Sequence, residues 1–136
     1  MKIFFLSLFI LGTLTSSFPI KTPKYSFEQN IICPIEMFEQ KESSYLVFIY
    51  LKHCLSCQNI MLRIESNQAY EKARIYYLNL LDFQDNQLSK MQNNQGARAY
   101  QEIYLNRAPV LLEIENCEVK KQYDNFYNIE SRLFLF

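Results

Sequence analysis

The chain has 136 residues, 49% of them hydrophobic, and 14 basic residues balance 14 acidic ones. A formal net charge of +0 leaves no basic patch for nucleic acid, and no run of like charge marks a solvated tail. Two glycines, one of them in the apolar leader, are too few for a phosphate-cradling loop.

The first 17 residues read as a secretory signal peptide. Lys2 is the charged start, Ile3 to Leu11 the apolar run, and Thr13, Thr15, Ser16 and Ser17 the small residues, with cleavage expected after Ser17. The run is too short for an ordinary membrane span. No cysteine follows it directly, which argues against a lipid anchor. An uncleaved signal anchor is the alternative, and only that would bring the membrane in as a partner. Residues 18–27, with Pro19 and Pro23, form an extended leader, and residues 28–136 a single domain. A signal peptide sends the chain to the periplasm, the cell surface or the ER lumen, where disulfides persist.

Glu28 to Ile32 suits a short edge strand. Pro34 then opens a short helix to about Glu42. Tyr45 to Leu51 is apolar, aromatic and β-branched without a break, as in a strand covered on both faces. It runs into Cys54-Leu55-Ser56-Cys57, after which Cys57, Ile60, Met61 and Ile64 recur at helical spacing. The helix continues through Asn67 to Ala73. Arg74 to Leu80 is the next strand. Asp82 to Arg98, rich in Gln and Asn, reads as a short helix with a break near Gly96, and Ala97 to Ile103 as another helix. Val110 to Glu115 and Val119 to Tyr123 pair as a hairpin through Asn116-Cys117, and Asn128 caps a last helix over Ile129 to Phe136. Strands alternating with helices and ending in a hairpin make an α/β layout with a mixed sheet.

The chemistry centres on Cys54 and Cys57. At a helix start, unpaired backbone N–H groups and the macrodipole favour the thiolate, the nucleophile of thiol–disulfide exchange. A second thiol three residues on can attack the mixed disulfide and release the product. That assigns Cys54 as nucleophile and Cys57 as resolving thiol. Zinc needs two further ligands, and Cys33, Cys117 and His53 are poorly spaced for it. A c-type haem needs His after the second cysteine, where Gln58 stands. His53 either stabilises the Cys54 thiolate when protonated, as a pKa modulator, or is a half-exposed rim residue. Cys33 and Cys117 fall at opposite edges of the expected sheet, so they read as buried or free thiols rather than a bridge.

Three features together resemble the thioredoxin superfamily over about Glu28 to Phe136. They are the strand Val47 to Cys57 ending in C-x-x-C, the strand Tyr76 to Leu80, and Ala108-Pro109-Val110 leading into the hairpin. The resemblance implies a thioredoxin-like fold, a central mixed sheet flanked by helices. It implies that Pro109 follows a cis bond and faces the thiols, with Ala108 and Pro109 holding an extended substrate segment. There are departures. His53 replaces the usual aromatic residue before the first cysteine, and Leu55-Ser56 replaces the family's familiar dipeptides. Phe48 stands where thioredoxins keep a buried carboxylate, so proton transfer at Cys57 falls to water or another group. Cys117 stands at the hairpin glycine. The connector from Asn79 to Pro109 is roughly a dozen residues longer than usual, a length that calls for added helix.

The expected function is therefore an extracytoplasmic thiol–disulfide oxidoreductase without a cofactor or metal. It acts as a monomer on cysteine-bearing client proteins, together with a redox partner. The alternatives are a thioredoxin-fold module that binds peptides at Pro109 without turnover, and a metal carrier using Cys54, Cys57 and His53.

Overall fold

The computed structural model describes residues 27–67 and 73–135. Residues 1–17, where a signal peptide is expected, most of the expected leader, residues 68–72, where the sequence extends the central helix, and Phe136 lie outside the described residues. Five strands form one mixed sheet in the order β1-β3-β2-β4-β5. The strands are β1 (Ile31–Ile32), β2 (Ser44–Tyr50), β3 (Ile75–Asn79), β4 (Val110–Glu115) and β5 (Glu118–Tyr123). The described residues also hold two α-helices, α1 (Leu55–Asn67) and α2 (Phe126–Phe134). The architecture is α/β and compatible with the thioredoxin-like arrangement that the sequence implies.

Strand β2 is the axis of the sheet. It pairs in parallel with β3 and antiparallel with β4, so both of its edges are bonded. Both faces are covered too: Val47, Phe48 and Ile49 are each 0% exposed, as expected for an unbroken apolar strand. Its side chains alternate between two cores. Leu46 and Phe48 meet Ile60 and Ile64 of α1 and Ile129 and Leu133 of α2. Tyr45, Val47 and Ile49 meet Leu80, Phe83, Ile103 and Leu105 of the connector on the other face. Both α-helices thus lie on one face of the sheet, and an ion pair between Arg63 and Glu130 links them. Among the described residues, the other face is covered by the connector rather than by an α-helix.

The elements differ from expectation at four places, each for a local reason. The edge strand shrinks to Ile31–Ile32, because Glu28–Asn30 forms a 3-10 turn and the Phe27 N–H donates to Glu65 of α1 at 3.0 Å. The helix opened by Pro34 stops as a 3-10 turn at Glu36. The Glu36 carboxylate reaches back to the Cys33 N–H at 2.9 Å, and side chains take the carbonyls that would carry the helix on. Gln40 Nε2 donates to the Glu36 carbonyl at 3.0 Å and the Tyr45 hydroxyl to that of Met37 at 2.6 Å. The final helix begins at Phe126, capped by Asn125, whose Oδ1 accepts from the Asn128 N–H at 2.8 Å. Starting there brings Ile129 and Leu133 inward, four residues apart.

The fourth difference is the connector. It forms 3-10 turns at Leu80–Asp82, Asp85–Leu88 and Tyr100–Glu102 rather than helices over 82–98 and 97–103. Its amide side chains, not helical ladders, satisfy its backbone. Gln87 Nε2 donates to the carbonyls of Tyr100 and Ile103 at 2.6 and 3.0 Å. Asn94 Oδ1 accepts from the Tyr104 N–H at 2.9 Å, while its Nδ2 donates to the Tyr104 carbonyl at 3.2 Å and to Gln122 Oε1 of β5 at 2.9 Å. Asn94 is 2% exposed, so removing its amide leaves a buried gap and strands part-buried partners. Asn94→Ala is expected to cost about 2–3 kcal/mol of unfolding free energy in urea titration. A loss below about 0.5 kcal/mol, ordinary for a surface change, would contradict this account of the connector.

Candidate functional site

The site forms where β2 leaves the sheet. After Tyr50 the chain turns through Leu51 to Cys54, closed by the Cys54 N–H donating to the Leu51 carbonyl at 3.2 Å. Leu55 is the first residue of α1, which leaves Cys54 in the N-cap position. Its sulfur does the work of a capping oxygen: Sγ accepts from the Cys57 N–H at 3.1 Å. Gln58 secures the turn, with Nε2 donating to the Lys52 carbonyl at 2.8 Å and its N–H to the Cys54 carbonyl at 3.0 Å.

Cys54 and Cys57 are joined as a disulfide, with Cα atoms 5.2 Å apart. Cys57 is 0% exposed and packs in the core cluster of Phe48, Ile60 and Tyr77. Cys54 is half-buried at the surface. A reagent therefore meets the sulfur of Cys54 before that of Cys57. Ser56 Oγ lies 3.5 Å from Cys54 Sγ. A disulfide sulfur carries no proton, so the hydroxyl is the donor.

The loop before β4 completes the site. The antiparallel register sets Val110 opposite Ile49, so the residues just before Val110 lie level with the exit of β2. The Ala108–Pro109 bond is cis, Pro109 is buried, and the Ala108 carbonyl oxygen lies 3.9 Å from Cys54 Sγ. Cys54, Cys57 and Ala108 thus come together from two separate segments. His53 is exposed in the turn, and among the described residues it makes no hydrogen bond to either sulfur. Phe48 is 0% exposed and meets Tyr77 edge-to-face at 6.1 Å. Tyr50, half-buried at the end of β2, packs against the same core cluster as Cys54. Burial, and then the charge of Asp82, push its phenol up. Among the described residues, no three His, Cys, Asp or Glu side chains gather where they could hold a metal ion.

The other two cysteines are free and exposed. Cys117 sits in the hairpin turn, where Asn116 and Cys117 both have positive φ (52° and 63°), as a two-residue primed turn requires. That turn lies beside the start of β2, far along the strand from Cys54, because the Asn116 N–H donates to the Ser43 carbonyl at 2.8 Å. Cys33 follows β1 at the opposite edge of the sheet, at the end where β2 and β3 finish.

No protein-family model matches this chain, and no curated protein is significantly similar to it. The geometry of the site carries the functional reading on its own.

Sequence reasoning missed Ser56, Gln58 and the Cys33–Glu36 pair. The last had a signal, since Glu three residues after a helix-capping position is the spacing of a capping box. The Cys33 thiol donates to Glu36 Oε1 at 3.2 Å. That bond favours the protonated thiol, and with slight burial and the Glu36 charge it raises the Cys33 pKa. At neutral pH Cys33 therefore holds less thiolate than its exposure suggests. Glu36→Gln is expected to speed alkylation of Cys33 at neutral pH, with the gap closing once the pH exceeds both pKa values. Equal rates at neutral pH in the two proteins would show that the carboxylate does not hold the proton.

Proposed function

We propose that the protein is an extracytoplasmic thiol–disulfide oxidoreductase of thioredoxin-like fold, acting on cysteine-bearing client proteins. The observation that carries this reading is the Cys54–Cys57 disulfide at the start of α1, its outer sulfur half-exposed and its inner sulfur buried. A structural bridge over three residues constrains so short a loop that it adds little stability. The same bridge at a helix start is suited to exchange.

The reduced pair works as follows. The Cys54 thiolate attacks one sulfur of a client disulfide. A Cys54–client S–S bond forms, the client S–S bond breaks, and the second client sulfur leaves as a thiolate. Cys57, deprotonated, then attacks Cys54 Sγ. The Cys54–Cys57 bond forms, and the first client sulfur leaves with the electron pair of the mixed disulfide. Two electrons pass from the dithiol to the client, and the reverse sequence passes the disulfide to a client dithiol. With Phe48 at the inner side, the proton of Cys57 leaves to water or to the client thiolate. Ala108 offers its backbone beside the sulfurs, where an extended client segment can pair as an added strand. Leu55, 72% exposed directly after Cys54, gives that segment an apolar surface.

The signal segment at 1–17 supports export and so an oxidising surrounding. The test is insulin reduction with a dithiol as electron source. The wild-type protein is expected to turn over, and Cys54→Ser to fall to the uncatalysed rate. A wild-type rate equal to that of Cys54→Ser would favour a non-catalytic peptide-binding module, the reading that Phe48 in place of a buried carboxylate also supports.

A further inference from the structure

Two donors converge on Cys54 Sγ, the Cys57 N–H at 3.1 Å and the Ser56 hydroxyl at 3.5 Å. The first belongs to the backbone, and any helix starting here would supply it. The second belongs to this sequence. We propose that Ser56 is the residue that tunes the Cys54 thiolate, donating its hydroxyl hydrogen to the sulfur when the disulfide opens. The proposal rests on the exchange reading of the site and adds to it what sets the reactivity of the outer thiol.

A neutral disulfide sulfur is a poor acceptor, and a thiolate is a strong one, so the bond from Ser56 strengthens as charge develops on Cys54. The hydroxyl is free for that role: among the described residues, Ser56 Oγ makes no hydrogen bond other than the one to Cys54 Sγ, and none to the open His53 carbonyl. Of the four carbonyls in the preceding turn, three already have donors: Leu51 from the Cys54 N–H, Lys52 from Gln58 Nε2, and Cys54 from the Gln58 N–H. Ser56 is half-buried, so water competes only in part.

The charged and titratable groups around the sulfur do not supply this bond. Lys52 and His53 are exposed in the turn, and Cys57 is buried beneath. Tyr50 ends β2 with its phenol pushed up by burial and by Asp82. On the facing loop, Arg107 pairs with Asp124 at 4.0 Å. Among the described residues, the only side-chain hydroxyl or cation bonded to Cys54 Sγ is that of Ser56. A hydrogen bond to the charged form lowers a pKa, so Ser56 holds more of Cys54 as thiolate at neutral pH. It also stabilises the reduced protein against the disulfide, which makes the pair more oxidising.

The experiment follows alkylation of reduced protein by iodoacetamide across pH, read by mass on the Cys54 peptide. This separates Cys54 from the other three thiols. In Ser56→Ala the Cys54 pKa is expected to rise, and its thiolate share at neutral pH to fall roughly three- to tenfold, the range of a single net hydrogen bond. At a pH above both Cys54 pKa values, the equilibrium with glutathione is expected to move by that factor toward the disulfide, and tenfold corresponds to about 30 mV for two electrons. Ser56→Thr keeps a hydroxyl and is expected to stay near wild type. Ser56→Val, matched to it in shape, isolates the hydroxyl if the alanine variant does not fold.

An unchanged Cys54 pKa in Ser56→Ala, or equal shifts in the threonine and valine variants, would overturn the proposal. The exchange reading fails separately. A shifted pKa in a protein that does not turn over insulin keeps Ser56 in its role and removes the enzyme, and turnover with no shift removes only Ser56.

Discussion

The Cys57 N–H is one of the donors that the first turn of a helix cannot satisfy from within, and it points at Cys54 Sγ 3.1 Å away. A serine or asparagine at this position would cap the helix and do nothing else. With sulfur there, the capping group is also the reactive group of the proposed exchange, and the donors that hold the helix start favour its anionic form. The disulfide draws on the same geometry. Cys57 sits three residues after the cap, on the inward face of α1, where its sulfur is both buried and within bonding reach of Cys54.

That helix start has to be presented at a fixed point, and β2 does this. Bonded along both edges and covered on both faces, the strand leaves Tyr50 little freedom, so the turn to Cys54 begins from a rigid support. The mixed character of the sheet matters for the second half of the site. A parallel neighbour would end beside Tyr50. The antiparallel β4 begins there instead, which delivers Ala108 and Pro109 beside the sulfurs from a part of the chain more than fifty residues away. Cys117 occupies the far end of the same hairpin, and the register that brings Ala108 near keeps Cys117 distant.

The parts of this arrangement with a strong local signal were legible in the sequence. The unbroken run Tyr45 to Leu51, the change to helical spacing after Cys57, and Asn116-Cys117 between two strands each carry their own period or turn chemistry. The connector did not. Gln87, Gln92 and Asn94 carry no apolar period, and their amides bond backbone groups ten to sixteen residues away, while Gln122 of β5 reaches back to the backbone of Gln92 and Asn94, a pattern that no local window contains. The first residue of α2 was missed because Asn125 and Asn128 are equally good caps, and the burial of Ile129 and Leu133 decides between them. At the site the two cysteines were visible from spacing alone. Ser56 was not, because a serine in the first turn of a helix is unremarkable until the position of the neighbouring sulfur is known.

The account depends on one asymmetry, an outer sulfur that reacts and an inner sulfur that resolves. Trapping tests it directly. Reduced Cys57→Ser, mixed with a disulfide-bearing client and quenched with acid, is expected to accumulate a mixed disulfide mapped by mass to Cys54, while Cys54→Ser accumulates none. Stable adducts through Cys57 in the Cys54→Ser protein, with none in Cys57→Ser, would reverse the roles of the two thiols and contradict the account.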